Sequence, residues 1–344
     1  MSAALLDQAL SPVRAQLQAV TRRIVSQLED PVARKVVYLI TAGGKRLRPA
    51  LVLLAGASGR AANQTALIDT AAAVELIHTA TLIHDDIIDA SPLRRSQPTF
   101  HHRWGTERAV LMGDYLYASA FTLLARLPTP YVMRVMADVC RQLCRGELRE
   151  VEARYRLDLT EEGYLDIIRD KTASLIGGCS HSGAYLGGCA PGMVEHLTGF
   201  GVNVGLAFQI IDDCLDLTGD ARHLGKSGLA DLDKGTLSLP IIYLTQRLSP
   251  RARARLFAPL RASAAASLTG RGRFRASRRS ARIMDAQSLA RIAHAARATG
   301  AIDQAQRRAQ RFIRAATDAL SRLPMNGLTG AYHALADYTI ARRS

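Results

Sequence analysis

Residues 65–89, TALIDTAAAVELIHTATLIHDDIID, contain no glycine and no proline, and this stretch limits the possible folds more than any other. Its apolar residues recur at helical spacing, so the sequence predicts one long helix that Pro92 terminates. Similar spacing recurs along the chain, for example in YVMRVMADVCRQLCRGELREVEARY. No stretch of the sequence alternates apolar and polar residues convincingly, as a strand would. The chain is therefore predicted to be all-α, with roughly a dozen helices.

The end of this predicted helix carries three aspartates among apolar residues. On a wheel of 3.6 residues per turn, His78, Thr81, Asp85 and Asp89 fall on one stripe, and Asp86 lies about 100° away, close enough to turn toward the same opening. An exposed acidic face is the common explanation, but the flanking residues are too apolar for it. Like charges one turn apart also repel each other. Such carboxylates need cations, and Mg²⁺ suits them because it binds one or two carboxylates together with phosphate oxygens.

A second segment, FQIIDDCLDLTGD, repeats the pattern with Asp212, Asp213 and Asp216. One DDxxD motif is a weak signal, whereas two with similar apolar neighbours are a strong one. If the two helices face each other across a bundle, the carboxylates of both motifs converge on one cavity. That much negative charge fits a cluster of magnesium ions that holds a diphosphate.

Basic residues accompany the acidic motifs. The segment GGKRLRP, residues 43–49, places Lys45, Arg46 and Arg48 after a glycine turn and lacks the GxxxxGK[ST] spacing of a nucleotide-binding P-loop. Arginine binds phosphate oxygens in bidentate fashion, so with His78 and Arg95 these residues could form a second, metal-free diphosphate site. Each one alone is more often a solvated surface residue, and their occurrence together is what favours a binding site. Further candidates are Lys171 with its neighbour Thr172, and Lys226.

The net charge narrows the range of partners. The chain has 45 Lys and Arg against 30 Asp and Glu, a formal net charge of +15, and much of the excess lies in residues 251–282. This favours an anionic partner such as a phosphorylated substrate, a membrane surface or nucleic acid. Nucleic acid is disfavoured, because the most basic stretch, RGRFRASRRSAR, offers Phe274 as its only stacking aromatic. A solvated basic loop explains the stretch equally well.

We expect a single domain over residues 1–344, with a basic loop at about residues 263–282 that has the composition of a disordered segment. The five cysteines show no metal-ligand spacing and favour reduced thiols. No signal peptide and no uninterrupted run of about 18 apolar residues is evident, so the protein is expected in the cytoplasm.

In these motifs the chain resembles the trans-isoprenyl diphosphate synthases, in particular the long-chain polyprenyl branch of octaprenyl and solanesyl type. The resemblance covers about residues 35–245 and rests, in family order, on GGKRLRP, ELIHTATLIHDDIID, LRRSQPT, MGDYL, DKTASL, FQIIDDCLD and DLDKGTLSLP. It implies an all-α isoprenoid-synthase-type bundle around a deep central cavity, usually in a homodimer. It also implies a prenyltransferase that repeatedly condenses isopentenyl diphosphate onto an allylic diphosphate primer, by Mg²⁺-assisted ionisation, condensation and proton elimination.

The resemblance also assigns roles to residues of this chain. Isopentenyl diphosphate would be bound by Lys45, Arg48, His78 and Arg95, and the allylic diphosphate by Arg94, Lys171 and Lys226. About three Mg²⁺ ions, which Mn²⁺ can replace, would be held by Asp85, Asp86, Asp89, Asp212, Asp213 and Asp216. The catalytic residues would be Lys171, Thr172 and Gln209, the last two beside the developing carbocation.

Two positions depart from the family pattern. Ser96 follows the second arginine of LRRSQPT where the family usually has glycine, and little effect is expected. Thr236 stands where many members carry a lysine that binds diphosphate, which puts one contact in doubt. Lys234 could replace that lysine, although its side chain is expected to point elsewhere on a helix.

Product length is predicted from two residues on the helix of the first motif. Thr81 and Ala80 precede Asp85 by about one turn, roughly 6–7.5 Å deeper, and both are expected to line the cavity below the metal ions. Family members with bulky residues at these positions make short products, so the resemblance implies a long product here. Small core packing is the alternative for Ala80. The floor would lie deeper, with Tyr117 and Phe121 as candidates.

Other functions remain open at this point. A short-chain farnesyl or geranylgeranyl diphosphate synthase is the alternative nearest to the main prediction. A class I terpene cyclase needs only one diphosphate and would leave GGKRLRP, His78 and Arg95 without a purpose. A nucleic-acid-binding module rests on charge alone, and the two intact aspartate motifs argue against a non-catalytic subunit of a two-component synthase. Contact with an anionic membrane surface is an option for product release.

Overall fold

The structure, a computed structural model, describes residues 2–28, 30, 33–41, 45–60, 63–94, 97–218, 229–262, 284–321, 323–324 and 327–342. Arg95, Ser96 and Lys226 lie outside the described residues, as does the basic segment 263–282. The described part is almost entirely helical, which confirms the predicted fold class. All five cysteines are free thiols.

The helices with described bounds are distributed along the whole chain. They are α1 Ser2–Leu10, α2 Arg14–Gln27, α3 Val37–Thr41, α4 Leu47–Ala57, α5 Gln64–Ile88, α6 Phe100–Trp104, α7 Thr106–Ala125, α8 Tyr131–Ala153, α9 Glu161–Ile168, α10 Ser174–Leu186, α11 Pro191–Thr218, α12 Ala230–Asp233, α13 Leu239–Arg247, α14 Pro250–Leu256, α15 Ala286–Ala298, α16 Ala301–Leu320 and α17 Thr329–Ala341. Two 3₁₀ turns, Ser11–Val13 and Ala33–Val36, and one π-helical turn, Arg169–Ala173, complete them. Among the described residues, strands are confined to β1 Leu93–Arg94 and β2 Gln97–Pro98, which pair antiparallel.

The long helix α5 begins and ends where the sequence predicts. The side chain of Asn63 caps its start by accepting from the Ala66 N–H at 3.1 Å, and Asp89 is its C-cap. By length and apolar composition α5 could cross a membrane, but 78% of its most apolar window is buried inside the protein. That burial is typical of the core helix of a bundle.

Helices α5 and α11 carry the two aspartate motifs. α5 packs against α4 and α7, and α11 packs against α10 and α16. α10 lies in backbone contact with α4, because a Cβ on Gly183 would come within 2.1 Å of the Val52 carbonyl oxygen. Both motifs fall in the C-terminal turns of their helices, residues 85–89 and 212–216. Unpaired carbonyls at a helix C-terminus add to the negative charge of the carboxylates, so both ends favour cations.

Candidate active site

Two adjoining cavities lie where α5 and α11 end. The larger, about 780 Å³, is lined by Asp85, Glu147 and Asp212, and we call it the acidic cavity. The smaller, about 600 Å³, is lined by Lys45 and Arg46, and we call it the basic cavity. Six residues line both: Arg48, His78, Leu82, Arg94, Phe208 and Arg342. The two cavities therefore share a wall that is rich in cationic side chains.

Asp85 and Asp86 face different cavities, although they were expected to share one opening. Asp85 lines the acidic cavity, where burial and the nearby Glu147 raise its pKa to about 7. Asp86 lines the basic cavity and is 2% exposed. Its carboxylate accepts from Arg94 Nε at 2.9 and 3.1 Å and lies 2.9 Å from Arg94 Nη2. The turn of about 100° between neighbouring helical residues separates them, and Arg94 compensates the buried charge.

Asp89, the third acid of the first motif, is held by two cations. Lys234 Nζ lies 2.8 Å from its Oδ2, and Arg154 Nη2 lies 3.2 Å from its Oδ1. Burial raises the pKa of Asp89, but the charges of Lys234 and Lys171 outweigh it and lower the pKa overall. The expectation that Lys234 points elsewhere on a helix is wrong: Lys234 is the C-cap of α12 and keeps helical dihedrals, but Gly235, with a φ of 84°, turns the chain, and Lys234 and Thr236 line the same small cavity.

A third, small cavity of about 90 Å³ joins the two motifs. Asp89 of the first motif and Asp213 of the second both line it, together with Asp231. Thr236 and Lys234 line it as well, so the departure from the family pattern noted above lies at this junction.

Asp212, the first acid of the second motif, pairs with an arginine from the C-terminal helix. Arg342 Nη1 lies 2.7 Å from Asp212 Oδ1, and the Arg342 guanidinium lies 4.2 Å from the centroid of the Phe208 ring. Burial raises the pKa of Asp212, while Arg342 and Lys45 oppose that change. Arg342 therefore connects the C-terminus of the chain to the shared wall.

The other two acids of this motif are more deeply enclosed. Asp213 accepts from the Tyr164 hydroxyl at 2.7 Å through Oδ2 and from Gln209 Nε2 at 2.9 Å through Oδ1. Burial raises the pKa of Asp213 well above its usual range. Asp216 accepts from a backbone N–H of α12 at 3.3 Å, and burial together with Asp231 raises its pKa to about 7.

The predicted catalytic residues meet in the acidic cavity. Lys171 and Thr172 lie in the π-helical turn Arg169–Ala173, between α9 and α10. The Thr172 hydroxyl donates to Gln209 Oε1 at 2.9 Å, and all three side chains line the acidic cavity. Gln209 thereby links the turn to the second aspartate motif, because its amide nitrogen binds Asp213.

The basic cavity holds the described residues predicted to bind isopentenyl diphosphate. Arg48 Nη1 lies 3.1 Å from His78 Nε2, and both side chains belong to the shared wall. Lys45 is exposed, with Nζ 5.1 Å from the centroid of the Tyr338 ring. Arg46 Nη1 lies 2.5 Å from Glu75 Oε1, and the two residues form an ion pair within the fold.

The two residues predicted to control product length differ in position. Thr81 lines the acidic cavity, and its hydroxyl donates to the His78 carbonyl oxygen at 2.7 Å. Ala80 is 0% exposed and packs within the core cluster. Tyr117 lines the acidic cavity, whereas Phe121 packs half-buried against the core.

Several site residues were missed from the sequence. Glu147 and Glu150 of α8 contact the Lys171 ammonium, Glu147 at 2.9 Å. Tyr164 and Arg342 bind acids of the second motif. The charged residues of α8 fall in a strongly amphipathic stretch, where they look like a solvated face. The available signal was the Gly146–Glu147 pair, since a glycine inside a long helix marks a close approach.

Comparisons with known proteins show the family and the fold. Residues 29–268 match the sequence profile of the family described as polyprenyl synthetase. Component 2 of the heptaprenyl diphosphate synthase of Geobacillus stearothermophilus is 35% identical over 329 residues, 96% of this chain and 95% of that protein. A short chain isoprenyl diphosphate synthase of Methanothermobacter thermautotrophicus is 39% identical over 240 residues, 67% of this chain and 72% of the relative. The solved polyprenyl synthase of Caulobacter crescentus CB15, complexed with calcium and isoprenyl diphosphate, matches with a TM-score of 0.88 and 32% identity over 98% of both chains.

Proposed function

The chain belongs to the polyprenyl synthetase family of prenyltransferases, and from this premise we propose that it extends an allylic diphosphate with isopentenyl diphosphate, repeatedly, to a long-chain all-trans polyprenyl diphosphate. The observation that carries the proposal is the pair of cavities with a shared wall. One cavity holds an acid from each aspartate motif, Asp85 and Asp212, and the other holds Lys45 beside Arg48 and His78. Two diphosphates can therefore bind side by side, one through metal ions and one through cationic side chains.

The acidic cavity suits divalent metal ions in the chemistry of its donors. Carboxylates are hard oxygen ligands, and Asp85 and Asp212 present them to one space. Within the described ranges, no three His, Cys, Asp or Glu side chains already converge on a metal position. Mg²⁺ does not require such a set, because it commonly binds one or two carboxylates and completes its octahedron with water and substrate phosphate oxygens. We assign about three Mg²⁺ ions, replaceable by Mn²⁺, to the six aspartates of the two motifs.

The residues of the acidic cavity favour ionisation of the allylic substrate. Bound Mg²⁺ would supply the Lewis acidity that stabilises the leaving pyrophosphate. Arg94 and Lys171 line the same cavity and add positive charge where negative charge develops. Thr172 and Gln209 line this cavity as well, and we assign them a position beside the allylic carbocation. The apolar side chains around them exclude water that would quench it.

The basic cavity holds the nucleophile. Arg48, His78 and Lys45 would fix the diphosphate of isopentenyl diphosphate, so that its double bond reaches across the shared wall. A carbon–carbon bond forms as the double bond attacks the cation, and a proton is then lost to the released pyrophosphate. Arg95 is assigned to the same diphosphate from the family pattern, and Lys226 to the allylic one, although both lie outside the described residues.

A long product is supported by the walls of the acidic cavity. Thr81, which is small, lines this cavity one turn before Asp85, and Leu143, Leu148 and Val151 of α8 add apolar surface to its walls. A space of about 780 Å³ accommodates an apolar tail there. Sequence identity to the relatives does not decide the length of the product, because these relatives include a heptaprenyl synthase and a short chain synthase. The cavity walls favour the long product over the short-chain alternative.

The test supplies the purified chain with labelled isopentenyl diphosphate, an allylic primer and Mg²⁺. We expect labelled polyprenyl diphosphate, identified by chromatography after dephosphorylation. Asp85→Asn and Asp212→Asn should each reduce turnover by several orders of magnitude, because a charged metal ligand is lost. Undiminished turnover in EDTA would contradict the metal assignment, and cyclised hydrocarbon products would indicate a terpene cyclase instead.

The same experiment addresses partners. The Geobacillus relative is named as a component of its synthase, so activity of this chain alone decides whether a second component is needed, and the mass of the active species in solution decides whether it is a homodimer. We propose a homodimer in the cytoplasm, with contact to an anionic membrane surface during product release.

A further inference from the structure

Residues Arg145–Glu150 of α8, with the sequence RGELRE, lie directly against the π-helical turn that carries Lys171 and Thr172. A Cβ on Gly146 would come within 2.4 Å of the Lys171 backbone nitrogen and 2.8 Å of its Cα. The two backbones can touch only because residue 146 is glycine. Side chains on both sides of this glycine then bind the turn.

Asp170 anchors the turn to this segment. It is 5% exposed, and its carboxylate accepts from Arg145 Nε at 2.7 Å and Nη2 at 2.8 Å. Arg149 Nη1 donates to the same carboxylate at 3.1 Å, and the Asp170 carbonyl oxygen accepts from the Ser174 hydroxyl at 2.6 Å. A bidentate arginine–carboxylate pair fixes orientation as well as adding energy. Because Asp170 precedes Lys171, its anchoring fixes where the lysine leaves the backbone.

The Lys171 side chain is fixed by the same segment. Its ammonium lies 2.9 Å from Glu147 Oε2 and also binds Glu150. An ammonium has three donors, so the two carboxylates leave one for a ligand. Burial lowers the pKa of Lys171, but Glu150 and Glu147 outweigh it and raise the pKa above its usual value. A flexible side chain is thus held charged and ordered before any substrate binds.

We propose that Arg145, Glu147, Arg149 and Glu150 are positioning residues, which hold the π-helical turn in the geometry that presents Lys171 and Thr172 to the acidic cavity. π-Helical turns are rare and occur frequently at functional sites. If the turn relaxed to a regular α-helix, the helix would shift by one residue at this point. Each side chain of the turn would then rotate by about 100° about the helix axis. The inference rests on the proposed function, because Lys171 matters here as a ligand of the allylic diphosphate.

The test compares Arg145→Gln with Arg141→Gln, one turn earlier on the same helix. Arg141 pairs with Asp138 of α8 itself at 3.3 Å. The Arg145 side chain is 55% exposed, so its replacement leaves no cavity in the core, and Arg149 remains as a charged partner of Asp170. We expect Arg145→Gln to lower kcat/KM for the allylic substrate by about tenfold to a hundredfold, the range for a misplaced catalytic group. The KM for isopentenyl diphosphate should stay as in the wild type, and Arg141→Gln should match the wild type in both.

Two further measurements separate positioning from general stability. Arg145→Lys keeps one charged donor and should recover part of the lost activity. Backbone hydrogen exchange over residues 169–173 should be faster in Arg145→Gln and unchanged in Arg141→Gln. If Arg145→Gln does not fold, Glu150→Gln replaces it, since that variant keeps the Arg145–Asp170 pair and loosens only Lys171.

The outcomes distinguish this inference from the proposed function. If the kinetics and the backbone hydrogen exchange of Arg145→Gln match those of Arg141→Gln, the inference is overturned. The proposed function is then unaffected. A KM for isopentenyl diphosphate that rises as much as the KM for the allylic substrate would overturn it too, since that result indicates general damage. A wild-type chain that forms no prenyl diphosphate by itself would refute the proposal that it acts without a second component, whereas the exchange result would stand independently.

Discussion

Tyr164→Phe removes one oxygen atom and leaves the aromatic ring in place, which makes it the cleanest probe of the second aspartate motif. The Tyr164 hydroxyl donates to Asp213 Oδ2 at 2.7 Å, and both residues are buried. A hydrogen bond contributes about 0.5–1.5 kcal/mol to stability between neutral groups and about 1.5–3 kcal/mol where one group is charged. The variant leaves Asp213 with its Gln209 partner at 2.9 Å. We therefore expect a folded but less stable protein.

The functional effect follows from the role proposed for Asp213. Loss of a hydrogen bond that orients a metal ligand typically costs about 10–100-fold in metal affinity or activity. The free energy of the lost hydrogen bond is consistent with this loss, since about 1.4 kcal/mol corresponds to a factor of ten. The half-saturating Mg²⁺ concentration for condensation should rise by about this factor. Saturating Mg²⁺ should restore most of the turnover.

Tyr243→Phe is the matched control. The Tyr243 hydroxyl donates to Glu161 Oε2 at 2.8 Å, and Glu161 has a second partner, Arg308, at 2.9 Å. Tyr243 is buried, the Glu161 side chain is 34% exposed, and the pair lies outside the three cavities described above. Both variants should lower the melting temperature by a few degrees, since about 1 kcal/mol shifts it by roughly 2–4 °C in chains of 150–250 residues. An unchanged Mg²⁺ titration in Tyr164→Phe would refute a metal-orienting role for this residue.

Two further predictions concern product length and the C-terminal helix. Thr81→Phe places an aromatic ring in the acidic cavity and should shorten the product, as chromatography would show, whereas Ala80→Phe should mainly lower the melting temperature because Ala80 is fully buried in the core. A long product from Thr81→Phe would contradict the proposed path of the tail. Arg342→Gln removes the 2.7 Å contact to Asp212 from the shared wall and should raise the KM of both substrates; a change for one substrate alone would assign Arg342 to a single cavity.

The fold class, the family and the prenyltransferase activity were predictable from the sequence and are confirmed. Helix α5 was predicted to within a residue at each end, because it lacks glycine and proline and is bounded by Asn63 and Pro92. Helix start and stop signals of this kind depend on neighbouring residues alone, so they can be recognised in a single sequence.

Contacts between distant segments could not be predicted in the same way. The direction of Lys234 depends on where the four-residue helix α12 ends, and a segment so short has no periodicity to reveal its end. Glu147 and Arg342 look like ordinary exposed charges on their own helices, and only packing brings them to Lys171 and Asp212. The roles proposed for the described aspartates remain predictions, while Arg95 and Lys226 lie outside the described residues.

The shared wall has a consequence for processivity. After each condensation the product carries the diphosphate that entered in the basic cavity, and this group must reach the acidic cavity before the next round. Arg48, Arg94 and Arg342 line both cavities, so the diphosphate can exchange one arginine for the next without becoming fully hydrated. The tail meanwhile slides further along its channel. With both substrates bound as proposed above, a growing chain would move by transfer of its diphosphate between neighbouring cations, a short step that favours retention over release.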